Sequence, residues 1–199
     1  MKSQSTIPIL QNALTLPAQD RLVAILGPRA LNLEVLKAVA AMSLKAEVRV
    51  VDAGNRFDAY LVARQVRRMT VAVNPCLERI RLVRPFTCYQ FMTALEELAH
   101  ACSPLIIIEI ANLFLDEDVK DADSRRLFEK GMRFLQRYSQ ESHVVVTQTT
   151  GRQKVERTWL EEMIRDYADS VFEYQVPQDG EAPLRQVSLF DHMGEVSCG

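Results

Sequence analysis

The stretch Arg21-Leu22-Val23-Ala24-Ile25-Leu26-Gly27-Pro28-Arg29-Ala30-Leu31-Asn32-Leu33-Glu34 decides the fold. Its first part is a short aliphatic run with no polar alternation, and Gly27-Pro28 stops it. From Asn32 to Lys45 the apolar residues Leu33, Leu36, Val39 and Ala40 recur at helical spacing. The reading is strand, turn, helix. A strand that is apolar at successive positions has to be covered on both faces, and a parallel sheet sandwiched between helices provides that cover.

The same unit recurs downstream. Glu47 to Val51 reads as a strand and Arg56 to Met69 as a helix, followed by a strand from Ile80 to Val83 and a helix from Phe86 to Cys102 that Thr87 caps. The strand Leu105 to Ile110, an acidic loop from Asp116 to Asp123, the helix Ser124 to Ser139 and the strand His143 to Thr147 continue the alternation. After a helix from Thr158 to Tyr167, Val171 to Val176 and Leu184 to Phe190 flank a Pro- and Gly-containing loop, the pattern of an antiparallel hairpin extending one edge. The expected fold class is α/β, a doubly wound, mainly parallel sheet flanked by helices with this C-terminal hairpin. Residues 1–20 read as an N-terminal lead-in or arm, and residues 21–199 as one core domain.

Composition bounds the function. The 199 residues are 48% hydrophobic and 25% charged, as one globular domain requires. A formal net charge of -2 removes any global electrostatic argument for nucleic acid or an anionic membrane, so a basic surface has to be local. Cys76, Cys88, Cys102 and Cys198 follow no metal or redox spacing, and no leader pattern or membrane-length apolar run is present. The expectation is a soluble, cytoplasmic protein with free thiols.

In open α/β sheets, ligands sit outside the carboxyl ends of the strands, so the first turn is where a phosphate belongs. A phosphate-binding P-loop reads G-x-x-x-x-G-K-[S/T]. Here Gly27 starts it, but Asn32, Leu33 and Glu34 occupy the last three places. Leu33 brings no ammonium to the β- and γ-phosphates. Glu34 adds a negative charge where a neutral hydroxyl would ligate magnesium, a like-charge contact costing about 1–4 kcal/mol at 4 Å. Arg29 and Lys37 are the cations near enough in sequence to compensate.

The order and wording of the segments from Arg21 to Phe190 resemble the RecA-like strand-exchange ATPases and their KaiC-type relatives. The resemblance is carried by Val48-Arg49-Val50-Val51-Asp52-Ala53-Gly54-Asn55-Arg56-Phe57-Asp58, by Arg79-Ile80-Arg81-Leu82-Val83-Arg84-Pro85-Phe86-Thr87, by Leu105-Ile106-Ile107-Ile108-Glu109 and by Val144-Val145-Val146-Thr147-Gln148. It implies a RecA-like P-loop NTPase fold in which several functional positions have changed. Gly54 stands where the family's water-activating glutamate would be. Glu109 replaces the aspartate that orients magnesium, and Gln148 matches the glutamine that couples the γ-phosphate to a DNA-binding loop. On this resemblance Gly27, Arg29, Asn32, Lys37, Glu109 and Gln148 form the remnant of a nucleotide site. Arg152, Lys154 and Arg157 lie in the place of the DNA-binding loop, either as phosphate contacts or as part of a solvated connection.

Other polar features read as structural. Arg64, Arg67, Arg68, Arg79, Arg81 and Arg84 form the densest cationic cluster, read as a solvated helix face and strand rim. His100, His143 and His192 have no metal-ligand spacing, and the acidic run from Asp116 to Asp123 lacks the glycine and spacing of a calcium loop. The expected function is therefore a non-catalytic RecA-like paralog, a scaffold or accessory protein for a partner such as itself or a RecA-like ATPase, in DNA recombination or repair. Ile7, Ile9 and Leu10 of the arm are candidate contacts. No cofactor is expected. The alternatives are a divergent ATPase that still uses ATP and magnesium, and a KaiC-like regulatory module that binds no DNA.

Overall fold

The six strands among the described residues run parallel in one sheet, ordered β3-β2-β4-β5-β1-β6. This computed structural model describes residues 21–98, 103–116, 118–150 and 157–176. The strands are β1 Leu22–Gly27, β2 Val48–Asp52, β3 Ile80–Val83, β4 Leu105–Ile108, β5 Val144–Thr149 and β6 Ser170–Glu173. Helices α1 Leu31–Ser43, α2 Ala59–Met69, α3 Val73–Glu78, α4 Cys88–Glu97, α5 Asp121–Tyr138 and α6 Trp159–Tyr167 connect them, with a 3-10 turn at Ile110–Phe114.

Period-two geometry divides the apolar strand residues between two cores. Leu22, Ala24 and Leu26 of β1 pack with Leu105, Ile107, Val144 and Val146 against α4, α5 and α6, through Phe91, Phe114, Phe128 and Leu160. Val23 and Ile25 pack with Val48, Val50, Ile106, Ile108 and Val145 against α1 and α2, through Leu31, Val35, Val39, Val62 and Val66. Each face is thus closed by helices, and the all-apolar β1 run is explained by burial on both sides. The faces also divide the chain in time. Connections that move from β1 towards the β3 edge use one layer, and those that move back use the other, as crossovers of constant hand require.

Local chemistry sets the element ends. Asp58 caps α2 by accepting from the Leu61 amide at 3.0 Å, and Thr87 caps α4 by accepting from the Gln90 amide at 3.1 Å. The helix expected from Arg56 starts at Ala59 because the amides of Arg56 and Phe57 turn back to the Asp52 carboxylate, at 2.8 and 2.9 Å. The strand expected to reach Ile110 stops at Ile108, where Glu109 adopts a left-handed backbone with φ 59° and the chain enters the 3-10 turn. The short helix α3 escaped the sequence reading, since six residues carry too little periodicity.

At the other edge, the first expected hairpin strand is β6, and it pairs parallel with β1. Its expected partner, Leu184 to Phe190, lies outside the described residues, as does the lead-in 1–20 with Ile7, Ile9 and Leu10. The β3 edge is open and apolar: Leu82 and Val83 are exposed, with Phe86 and Tyr89 following them. No helix among the described residues is long and apolar enough to cross a membrane.

Candidate functional site

Four neighbouring strand ends build the site. In the order β2-β4-β5-β1, the chain leaves β1 and β2 for one helical layer and leaves β4 and β5 for the other. A crevice therefore opens above their carboxyl ends, which is where α/β sheets bind ligands. It holds a cleft of about 300 Å³ lined by Arg29, Arg56, Glu109, Asn112, Leu115, Gln148 and Thr149.

Glu109 forms its floor. The residue is 3% exposed and its left-handed backbone costs on the order of 1–3 kcal/mol. Four donors hold the carboxylate. Oε1 accepts from Asn32 Nδ2 at 3.0 Å and from the Thr149 hydroxyl, while Oε2 accepts from the Thr149 amide at 3.0 Å and from Gln148 Nε2 at 3.2 Å. The orientation of Gln148 is fixed from the backbone, because its Oε1 accepts from the Ala111 amide at 2.9 Å. Its amide nitrogen must therefore face Glu109 and the Asn112 Oδ1 at 3.4 Å. Among the described residues every partner of Glu109 is neutral.

Gly54 is fixed by the same carboxylate. A Cβ placed on it would lie 2.4 Å from the Glu109 Cβ and 2.7 Å from its Cγ. The stem of Glu109 thus fills the space a side chain at position 54 would need, and the glycine is a packing requirement of the glutamate. Gly27 is constrained similarly, since a Cβ there would meet Tyr174 Cβ at 2.8 Å and its carbonyl at 3.0 Å. The approach of the chain after β6 thus accounts for a glycine at position 27.

The turn between β1 and α1 is short. The amides of Leu31, Asn32 and Leu33 donate to the carbonyls of Pro28, Arg29 and Ala30 at 2.9, 3.2 and 3.2 Å, so the helical turn closes on itself. Asn32 points into the site, Leu33 is exposed, and Lys37 is neutralised by Glu34 one turn earlier at 2.8 Å, with neither charge lining the cleft. Of the six remnant positions, Arg29, Asn32, Glu109 and Gln148 therefore come together, while Gly27 and Lys37 face the β6 side around Tyr174.

The cationic candidates divide in the same way. Arg157 is largely buried, donating to the carbonyls of Phe114 and Val119 and pairing with Asp121 at 3.3 Å, so it ties the loop before α5 to α6. Arg152 and Lys154 lie outside the described residues. Arg79 donates to the Ser43 and Leu44 carbonyls at the end of α1, Arg81 reaches Glu47, and Arg84 pairs with Asp52 at 3.0 Å. These three hold β3 to its neighbours, whereas Arg64, Arg67 and Arg68 are exposed on α2. Cys76 and Cys88 are buried and free, and burial pushes the Cys88 thiol up. His143 has a buried Nε2 without a hydrogen-bond partner, and His100, His192, Cys102 and Cys198 fall outside the described residues.

Sequence reasoning missed Arg56, Asn112, Leu115 and Thr149 as lining residues. A signal existed for Thr149, which ends the strand β5, and for Asn112, which lies in the 3-10 turn after β4. Arg56 read as the first residue of the helix Arg56 to Met69, whereas the structure places it in the β2–α2 loop. In comparisons with known proteins, no family model and no curated protein matches the chain.

Proposed function

We propose that this chain is a non-catalytic RecA-like protein that acts as a scaffold or accessory subunit through partner binding, with DNA recombination or repair as the setting its resemblance implies. The observation that carries the reading is the closed turn at 28–33. A phosphate cradle needs backbone amides aimed outward, and here Leu31, Asn32 and Leu33 spend theirs on the carbonyls three residues earlier. Two features of the same site support it. The carboxylate of Glu109 is fully engaged by neutral donors, which leaves it poorly suited to orienting a hydrated magnesium ion. A base at position 54 has no room beside it. The open, apolar β3 edge favours a protein that works through contact with another chain.

The test is calorimetry of the purified chain with ATP and magnesium, paired with a turnover assay under the same conditions. The expected result is no binding heat and no phosphate release above buffer. Micromolar ATP binding with measurable turnover would overturn the reading in favour of a rebuilt ATPase.

A further inference from the structure

The geometry points to a second use of the cleft: it is a receptor for the phosphate or carboxylate group of a small molecule, held by side chains from the β1–α1 and β2–α2 loops. This inference does not rest on the scaffold reading. It rests on a count of donors and acceptors. Both oxygens of Glu109 already accept two hydrogen bonds each, so the floor offers an incoming ligand no open acceptor. Asn112 turns its oxygen to Gln148, so its NH2 group is left as a donor beside the cleft. Arg29 and Arg56, both exposed, line the cleft from opposite loops and make no ion pair or side-chain hydrogen bond among the described residues.

The lining thus presents two guanidinium groups and one amide NH2. A ligand that only accepts hydrogen bonds and carries negative charge matches it, because each guanidinium offers a planar pair of N–H donors to two oxygens of one oxyanion. Size narrows the class further. About 300 Å³ is the lower end of the range for ligand pockets, which suits a compact anion better than a complete nucleotide. The negative floor does not cancel the attraction, since the two arginines of the lining outweigh the one Glu109 carboxylate.

The experiment is a thermal-melt titration of the full chain at constant ionic strength with inorganic phosphate, malonate and chloride, repeated on Arg29→Ala, Arg56→Ala and, as an exposed-arginine control, Arg67→Ala. Phosphate or malonate should raise Tm with the logarithm of concentration above Kd, by roughly 3–6 °C near ten times Kd. The response should fall at least tenfold in apparent affinity in Arg29→Ala and Arg56→Ala and persist in Arg67→Ala. Whichever of the two anions acts at lower concentration identifies the group recognised. Because all three arginines are exposed, the variants should melt near the parent without ligand, so loss of response is separable from loss of fold. A shift of equal size in all four proteins, or none with either anion, would overturn the proposal. ATP turnover, tested separately, bears only on the scaffold reading.

Discussion

β2 and β4 lie side by side and each ends in a buried carboxylate, yet the two are held differently. Asp52, fully buried, accepts from the amides of Arg56 and Phe57 and pairs with Arg84. Its charge is matched by a cation and its geometry shapes a loop. Glu109 is surrounded by neutral donors, sits on a left-handed backbone and occupies space taken from Gly54. The first is an architectural ion pair. The second is a polar plug in the crevice where this type of sheet takes ligands, and strain concentrated at such a place is characteristic of sites rather than of scaffolding.

Placing a side chain at position 54 should break this contrast most severely. Gly54→Glu puts new atoms onto the Glu109 stem, and overpacking of this kind should cost about 3 kcal/mol or more, a fall in Tm of roughly 6–12 °C. Gly54→Ala/Glu109→Gly, which removes both the Cβ and the Cγ that a side chain at position 54 would meet, should cost less than the sum of the two single changes. Strict additivity in that cycle would show that the two residues do not share the space.

Next in size is Glu109→Ala, which leaves the Thr149 amide and the Gln148 and Asn32 side chains without their acceptor. Denaturant unfolding should report a loss of about 2–4 kcal/mol. Asp52→Asn should cost less, about 1–2 kcal/mol, because its amide oxygen keeps one backbone donor and Arg84 is partly solvated. Equal losses at the two positions would erase the distinction between plug and pair. The smallest effect is expected for salt: high ionic strength should reduce the difference between parent and Asp52→Asn by a few tenths of a kcal/mol and leave the Glu109→Ala difference unchanged. The opposite dependence would mean that Glu109 has a cationic partner after all.

Much of the fold was legible because burial on both faces leaves uniform aliphatic runs, as in Leu22 to Leu26 and Leu105 to Ile108, and because Thr87 advertises a helix start. What was not legible depended on side chains meeting across strands. The strand after Leu105 looked two residues longer than it is, since nothing in Ile108-Glu109-Ile110 signals a left-handed glutamate. Gly27 read as the relic of a phosphate motif and Gly54 as the loss of a water-activating glutamate, whereas each is set against a bulky neighbour, Tyr174 and Glu109, from a distant segment. Arg157 looked available in sequence and is folded inward, where it donates to the carbonyls of Phe114 and Val119 and pairs with Asp121. The cleft arginines illustrate the converse. Arg29 stood out through its motif, but Arg56 gained meaning only when β2 was seen two places from β5.

The strand order also bears on how the protein is made. β1 and β2 are consecutive in the chain yet separated in the sheet by β4 and β5, and the register of β1 is fixed by pairing Leu22 with Val144. A ribosome adding about 5–20 residues per second therefore exposes the aliphatic β1 for seconds before its neighbour exists. During that interval Val23 and Ile25 have α1 and then α2 for cover but no neighbouring strand, and no truncated nascent chain ending before β5 can complete either core layer. The long-range pairing that gives the finished sheet its central crevice thus makes its first strand a client for holding factors during synthesis, and makes folding a late, nearly all-or-none event.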